Sequence, residues 1–394
     1  MSDTFLHGVE TITSPVLSLV NTIKTGVIGL IGTAATGDTD KLILCATEKD
    51  DVQFGTTGTI PEALTIIRAI TRKTGCTVLV VSIGTGTPTP EAADFVGAVD
   101  PDTGARSGLK CFDAAVTKFG FNAKIFIAPR FSSVGGVKTA LETVAEKFKG
   151  YAYLEAPTGL TVTEAIALRT TGALWATMSE RSKYLYPNPL DAAGTERPFS
   201  AYSAALRAKL DATSELEGGG FWVSNSNNAI DGISGLSVEI SASVNDVNSE
   251  SNLLNAAGIT TIFNMYGADF REWGNRNASF PTETGIGTFE STTRAQDLID
   301  DSIELACLRT FTDKNITQAN IDLAVQMVNT YYNSLIKRGA VLEGSKCLYE
   351  ASKNSDAEIA DGHVVFSKIQ TTPTPAERIT FDKTIDINLL ANIQ

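Results

Sequence analysis

The chain has 394 residues, 43% hydrophobic and 20% charged, which is the composition of a globular protein too long for one ordinary core, so two domains are expected. Its formal net charge of −13 and pI near 4.8 argue against coating nucleic acid, which needs a basic face to neutralise phosphates. Five widely spaced cysteines without a CxxC pair read as free thiols, against a disulfide framework or a zinc site.

The opening MSDTFLHGVE lacks a basic segment followed by an apolar one. The longest apolar run, Val27 to Ile31, is interrupted by Gly29 and falls far short of the roughly 20 residues that span a bilayer. The expectation is a protein made in the cytoplasm with no direct membrane insertion. Residues 1–24 form a β-leaning arm broken at Pro15, with apolar Val9, Ile12, Val16, Leu17, Leu19 and Val20. An arm of this kind cannot bury its own apolar face and must pair elsewhere.

From about residue 41 strands and helices alternate. Lys41–Ala46, Cys76–Ile83, Ala123–Ala128 and Tyr151–Glu155 read as strands; Pro61–Lys73, Leu109–Phe119, Val134–Phe148 and Thr163–Thr170 read as helices. Short apolar strands separated by helices imply a mostly parallel sheet covered on both faces, so residues 35–255 read as one α/β domain. Its loops are Gly84–Arg106, Tyr186–Pro198 and Glu217–Gly220, the last leading into FWVSNSNNAIDGISG, where Phe221 and Trp222 are expected to be buried and Asn225 to Asn228 to turn. Next comes GITTIFNMYGADFREWGNR, Gly258 to Arg276, a strand with β-forming Ile259, Ile262 and Phe263 that runs into a loop around a buried Trp273. Two amphipathic helices follow, Thr292–Phe311 and Ile316–Arg338, the second capped by Thr317 and stopped by Gly339. The chain closes with strand-like Ala340–Tyr349 and Val364–Gln370, a turn at Thr371–Pro375, and Glu377–Leu390, a second arm with apolar Ile379, Phe381, Ile385 and Ile387.

Little in this pattern supports catalysis. Gly84, Thr85 and Gly86 follow a strand as a phosphate-binding turn would, but Thr87, Pro88, Thr89 and Pro90 replace the glycine and helix that such a turn requires. His7 and His363 are the only histidines, GxSxG is absent, and no soft-ligand cluster suggests a metal. Asp297, Asp300, Asp301 and Glu304 stand at helical spacing that suits a solvated face or a basic partner better than a cation site. No cofactor is expected, and the chain is expected not to be an enzyme. A nucleotide-dependent α/β enzyme is the competing reading, and a secreted binding module a third.

Several stretches, in order, resemble contractile tail sheath proteins, which build the sheath of contractile-tailed phages, R-type pyocins and related contractile injection systems. They are His7 to Glu10, Val27 to Ala34, the aromatic-Ser-Asn segment after Phe221, the core signature Trp273, Gly274, Asn275 and Arg276, and Pro375 to Ile379. Tyr186, Pro187, Asn188 and Pro198, Phe199, Ser200 match the family only in part. The resemblance implies an α/β and α+β chain of two domains: an outer α/β domain with a mostly parallel sheet and an inner conserved α+β domain with strand-exchanging terminal arms. Residues 1–34 would be the arm and first strand joining the inner domain, 35–255 the outer domain and 256–394 the inner domain. It further implies a structural subunit that stacks as six-membered rings around an inner tube protein, between baseplate and terminator or cap proteins, and contracts to drive the tube through a target envelope. The apolar residues of both arms would pair with neighbouring subunits, while Lys337 and Arg338 would face the tube. Assembly would take place in the bacterial cytoplasm, with the product a virion tail or a released particle.

Overall fold

A computed structural model describes residues 20–392 apart from positions 88, 177 and 265. In chain order the elements are β1 (Ile28–Gly32), β2 (Leu42–Cys45), α1 (Glu48–Asp51), α2 (Thr59–Ile70), β3 (Val78–Ser82), α3 (Ala92–Val96), α4 (Ala115–Phe119), β4 (Ile125–Ile127) and α5 (Gly135–Lys147). Then follow β5 (Tyr151–Glu155), α6 (Val162–Ala167), β6 (Ser182–Leu185), β7 (Pro189–Leu190), α7 (Phe199–Ala212), β8 (Gly235–Leu236), α8 (Glu250–Ala256), β9 (Ile259–Asn264) and β10 (Phe270–Trp273). The last are α9 (Glu290–Thr310), α10 (Gln318–Lys337), β11 (Lys346–Tyr349), α11 (Asp356–Ala360) and β12 (Phe366–Ile369).

Eight strands form one sheet in the order β10-β9-β6-β5-β4-β1-β3-β2. Its neighbours run parallel except at the two edges, where β2 pairs antiparallel with β3 and β10 with β9. β1, β3, β4 and β5 are buried at every position, as strands covered on both faces must be. Successive side chains point to opposite faces. Leu30, Val80, Ile127 and Tyr153 join a core with Ile67 of α2 and Leu206 of α7, while Ile31, Leu79, Phe126 and Leu154 join another with Leu141 of α5 and Phe112.

The chain divides into two compact units, one of Lys24–Asp297 with Thr372–Gln394, the other of Leu298–Thr371 with the described residues before Lys24. This division differs from the boundaries expected from the sequence. β1, expected to belong with the N-terminal arm, lies between β4 and β3 in the middle of the large sheet. Residues 259–273, expected beyond a boundary at 255/256, supply β9 and β10 to that same sheet. Burial explains both placements, because Ile28, Leu30, Ile31, Ile259 and Ile262 are almost wholly covered there.

In the smaller unit α10 turns Ile321, Ala324, Met327, Val328, Tyr331, Tyr332 and Leu335 inward. Thr317 caps it by accepting from the Asn320 N–H, and Gly339 at φ 76° follows its end. Other assignments shift. Residues 108–114 form a 3₁₀ segment before α4, and only Lys346–Tyr349 of the expected strand 340–349 pairs, after a turn at Gly344. Trp222 and Trp273 are half-buried where burial was expected; the fully buried tryptophan is Trp175, stacked on Tyr184 at 4.6 Å.

The larger unit has a charged interior. Lys183 of β6, with no exposed side-chain surface, donates to Glu272 of β10 and, at 2.6 Å, to Glu290 of α9, to which Tyr153 of β5 also donates. Asp211 of α7 accepts from Arg207 at 2.8 Å and from Arg294 of α9, which donates onward to the carbonyls of Phe221 and Thr25. Burial opposes the charge on Glu290, but Lys183 outweighs it and holds that carboxyl below its ordinary range; burial and the neighbouring Glu290 push Glu272 above it. Breaking such a group on one side strands charge in the core. Lys183→Met should therefore lower the unfolding free energy by about 3–5 kcal/mol, read as a urea midpoint shift, and an unchanged midpoint would contradict this role.

Candidate assembly surfaces

A strand edge presents unpaired N–H and C=O groups unless something covers it. The large sheet is covered by backbone at its β10 end. Beside β10, Asn227 and Ile230 donate to the carbonyls of Glu272 and Phe270, and the Asn228 carbonyl accepts from the Glu272 N–H. Beside β2, the Lys118 ammonium donates to the Leu42 carbonyl at 2.7 Å and Arg68 to the Cys45 carbonyl at 3.1 Å.

The β11–β12 ladder is different. Asn329 of α10 brackets Cys347, accepting its N–H at 2.7 Å and donating to its carbonyl at 3.0 Å, so the outer side of β11 is covered there. Cys347 pairs with Lys368 across the ladder. Because the two members of such a pair both turn their backbone groups outward, Lys368 presents its N–H and C=O on the far side of β12. Among the described residues no backbone group meets them. A two-stranded ladder with one open edge is a receptive surface for a third strand.

The other end of the chain supplies an unpaired segment. Thr372 is 1% exposed and anchors its start. Five residues on, Glu377 receives Arg276 through both guanidinium arms, at 3.0 and 2.5 Å. Arg276 lies over the Phe289 ring at 3.7 Å and the Phe280 ring at 4.9 Å, so the pair is partly desolvated and held by cation–π contact. Beyond it Ile379, Phe381, Ile385 and Ile387 are 70–90% exposed. Among the described residues no ladder includes them; Ile387–Asn392 forms a 3₁₀ turn in place of the expected strand end.

The signature Trp273, Gly274, Asn275 and Arg276 builds this anchor. Trp273 packs on Phe263 at 5.3 Å between centroids. Gly274 has φ 137°, and a Cβ there would come 2.9 Å from the Thr260 Cα, which excludes other residues. The Asn275 carbonyl accepts the first N–H of α9 from Glu290. Sequence reading quoted Arg276 and Glu377 in separate motifs, and the structure brings them together. It missed Asn329 and Thr372, for which the sequence carries no signal. Lys337 and Arg338 are exposed at the end of α10. Val9, Ile12, Val16 and Leu19 lie outside the described residues.

The rival chemistry finds other geometry. β1 has β3 on one side and β4 on the other, and the carboxyl ends of such strands form the crevice that holds nucleotides in doubly wound folds. Here Glu62 of α2 occupies that end, meeting Arg130 at 2.6 Å and Arg197 at 3.0 Å. The acids at helical spacing do meet bases: Asp297 pairs with Arg181 and Asp300 with Lys368. Among the described residues no group of three or more His, Cys, Asp or Glu side chains could hold a metal ion, and no helix is long and apolar enough to cross a membrane.

The family model for the phage tail sheath protein central domain matches residues 104–278. A prophage major tail sheath protein of Pseudomonas aeruginosa strain UCBPP-PA14 is 30% identical over 75% of this chain and 73% of its own length. The tail sheath protein of Burkholderia phage BcepMu is 36% identical over 77% of this chain; the match spans 63% of that longer protein. Among solved structures, the helical sheath of the anti-feeding prophage in its contracted state has the same fold, with a TM-score of 0.68 at 18% identity over 97% of this chain and 100% of that one. The sheath complex of an extracellular contractile injection system, PVC, also contracted, gives 0.69 at 16% over 98% and 99%. This chain belongs to the phage tail sheath protein family.

The clasp is testable on the isolated chain. Glu377→Gln should lower its stability by about 1 kcal/mol and Arg276→Ala by about 2–3 kcal/mol, since only the latter also removes the contact with Phe280 and Phe289. Equal denaturation midpoints for both variants and the unmodified chain would contradict the clasp.

Proposed function

We propose that the protein is the structural subunit of a contractile sheath, stacked as hexameric rings around an inner tube between a baseplate and a cap, and contracting to drive the tube through a target envelope. The observation that carries this reading is, among the described residues, an open strand edge at β12 and an unpaired apolar segment after Glu377 on one chain. Each copy can then donate a strand and accept one, which is how identical subunits link without a separate connector. Val9, Ile12, Val16 and Leu19 of the N-terminal arm would supply a second donated strand, and Ile379, Phe381, Ile385 and Ile387 the C-terminal one.

In this arrangement Lys337 and Arg338 are turned to the tube. Donated strands keep subunits joined through backbone hydrogen bonds while the bodies rotate. The free-energy difference between the extended and contracted packings is then set at assembly, and firing needs neither cofactor nor nucleotide. The particle would assemble in the bacterial cytoplasm and act in a virion tail or after release.

A chain starting at Thr22 should be soluble, with near-native circular dichroism, yet form no tubes by negative-stain microscopy; ordinary tubes from that chain would overturn strand donation by the N-terminal arm. Replacing both Lys337 and Arg338 by Glu should leave folding intact and reduce the yield of sheathed tubes. Each solvated charge is worth about 1 kcal/mol or less, so the loss should deepen at low salt. An unchanged yield at physiological salt would remove these residues from the tube contact.

A further inference from the structure

The C-terminal tail carries a charge where its own pattern calls for an apolar side chain. In an extended segment alternate residues share a face, and one face of 378–386 reads Ile379, Phe381, Lys383, Ile385 while the other reads Arg378, Thr380, Asp382, Thr384, Asp386. The three apolar side chains are 70%, 90% and 77% exposed, and among the described residues 378–385 make no backbone hydrogen bond. A strand that is apolar on one face can slip by two residues and still turn the same face inward, because the side-chain period is two. Lys383 ends that equivalence. Every slip of two moves its ammonium to a new position, and burial away from a carboxylate is heavily disfavoured. One polar group in an apolar seam fixes the register of coiled coils by the same means, at some loss of stability.

We propose that Lys383 fixes the register of the C-terminal strand on a second copy of this chain, admitting only the alignment in which its ammonium reaches a carboxylate. The proposal rests on the reading of that segment as a donated strand. Carboxylates stand near the open edge: Asp300 of α9 accepts from Lys368 of β12 at 2.6 Å and from Gln370 at 3.2 Å, and Glu304 follows one helical turn on. The occupant is a second copy because the chain holds both halves of the contact. The clasp at Glu377 fixes where the tail begins, six residues before Lys383.

The test compares the full chain with Lys383→Ile, Lys383→Arg and a chain ending at Arg378, by electron microscopy and helical diffraction of the polymers. All should fold alike, since the tail is exposed. Lys383→Ile should polymerise at least as readily but give mixed helical repeats and diffuse layer lines, while Lys383→Arg keeps the single repeat. Polymers of Lys383→Ile with one unchanged repeat would overturn the register role. Tubes of ordinary form from the chain ending at Arg378 would instead overturn the donated-strand reading on which it depends.

Discussion

Lys183 holds two carboxylates in the fully buried interior of the larger unit, and the placement of the loop between them follows from that. Its partners, Glu272 and Glu290, sit on β10 and at the start of α9, on either side of the loop that carries Arg276. Tyr153 ties the same Glu290 to β5 in the sheet. A buried ion cluster of this kind adds little stability over an apolar core, yet it is intolerant of any other arrangement, because each shifted partner leaves a charge stranded. What it supplies is position. The loop between the two acids is pinned at both ends, so Arg276 meets Glu377 from a fixed platform and the tail leaves the body at a defined point.

That arrangement separates a rigid part from a free one. The β10 edge of the large sheet is closed by backbone, which discourages pairing between copies there. Among the described residues the open edge belongs to the small ladder, and the unpaired segment to the tail. A protein that polymerised through its main sheet would lock its bodies together. One that links through a short ladder and a tethered segment leaves the bodies room to reorient, which is the property the proposed contraction requires.

Much of the larger unit was legible in the sequence because its central strands are continuous apolar runs, as at Val78–Ser82 and Tyr151–Glu155. What escaped were elements whose burial contradicts their composition. β6 reads SKYL and β10 reads FREW; both carry charges that only the interior pairing explains, and neither looks like a strand from sequence alone. α7 escaped for the opposite reason. Its residues are covered on nearly every side, Ser200, Ser203 and Arg207 included, so it shows no polar stripe. The motifs of the assembly surfaces were visible one by one, but 101 residues separate Arg276 from Glu377, and no periodicity could join them. The open edge of β12 depends on Asn329 covering the other strand, a fact of tertiary packing alone.

The central claim is that the exposed C-terminal segment of one copy completes the β11–β12 ladder of another. A helical reconstruction of polymers formed by the full chain tests it directly, at a resolution that traces backbone. The account predicts a third strand beside β12, continuous with residues 378–386 of a neighbouring copy, with the Arg276–Glu377 clasp intact where that strand leaves its own body. An empty β12 edge in the polymer, with 378–386 folded against its own chain, would contradict it.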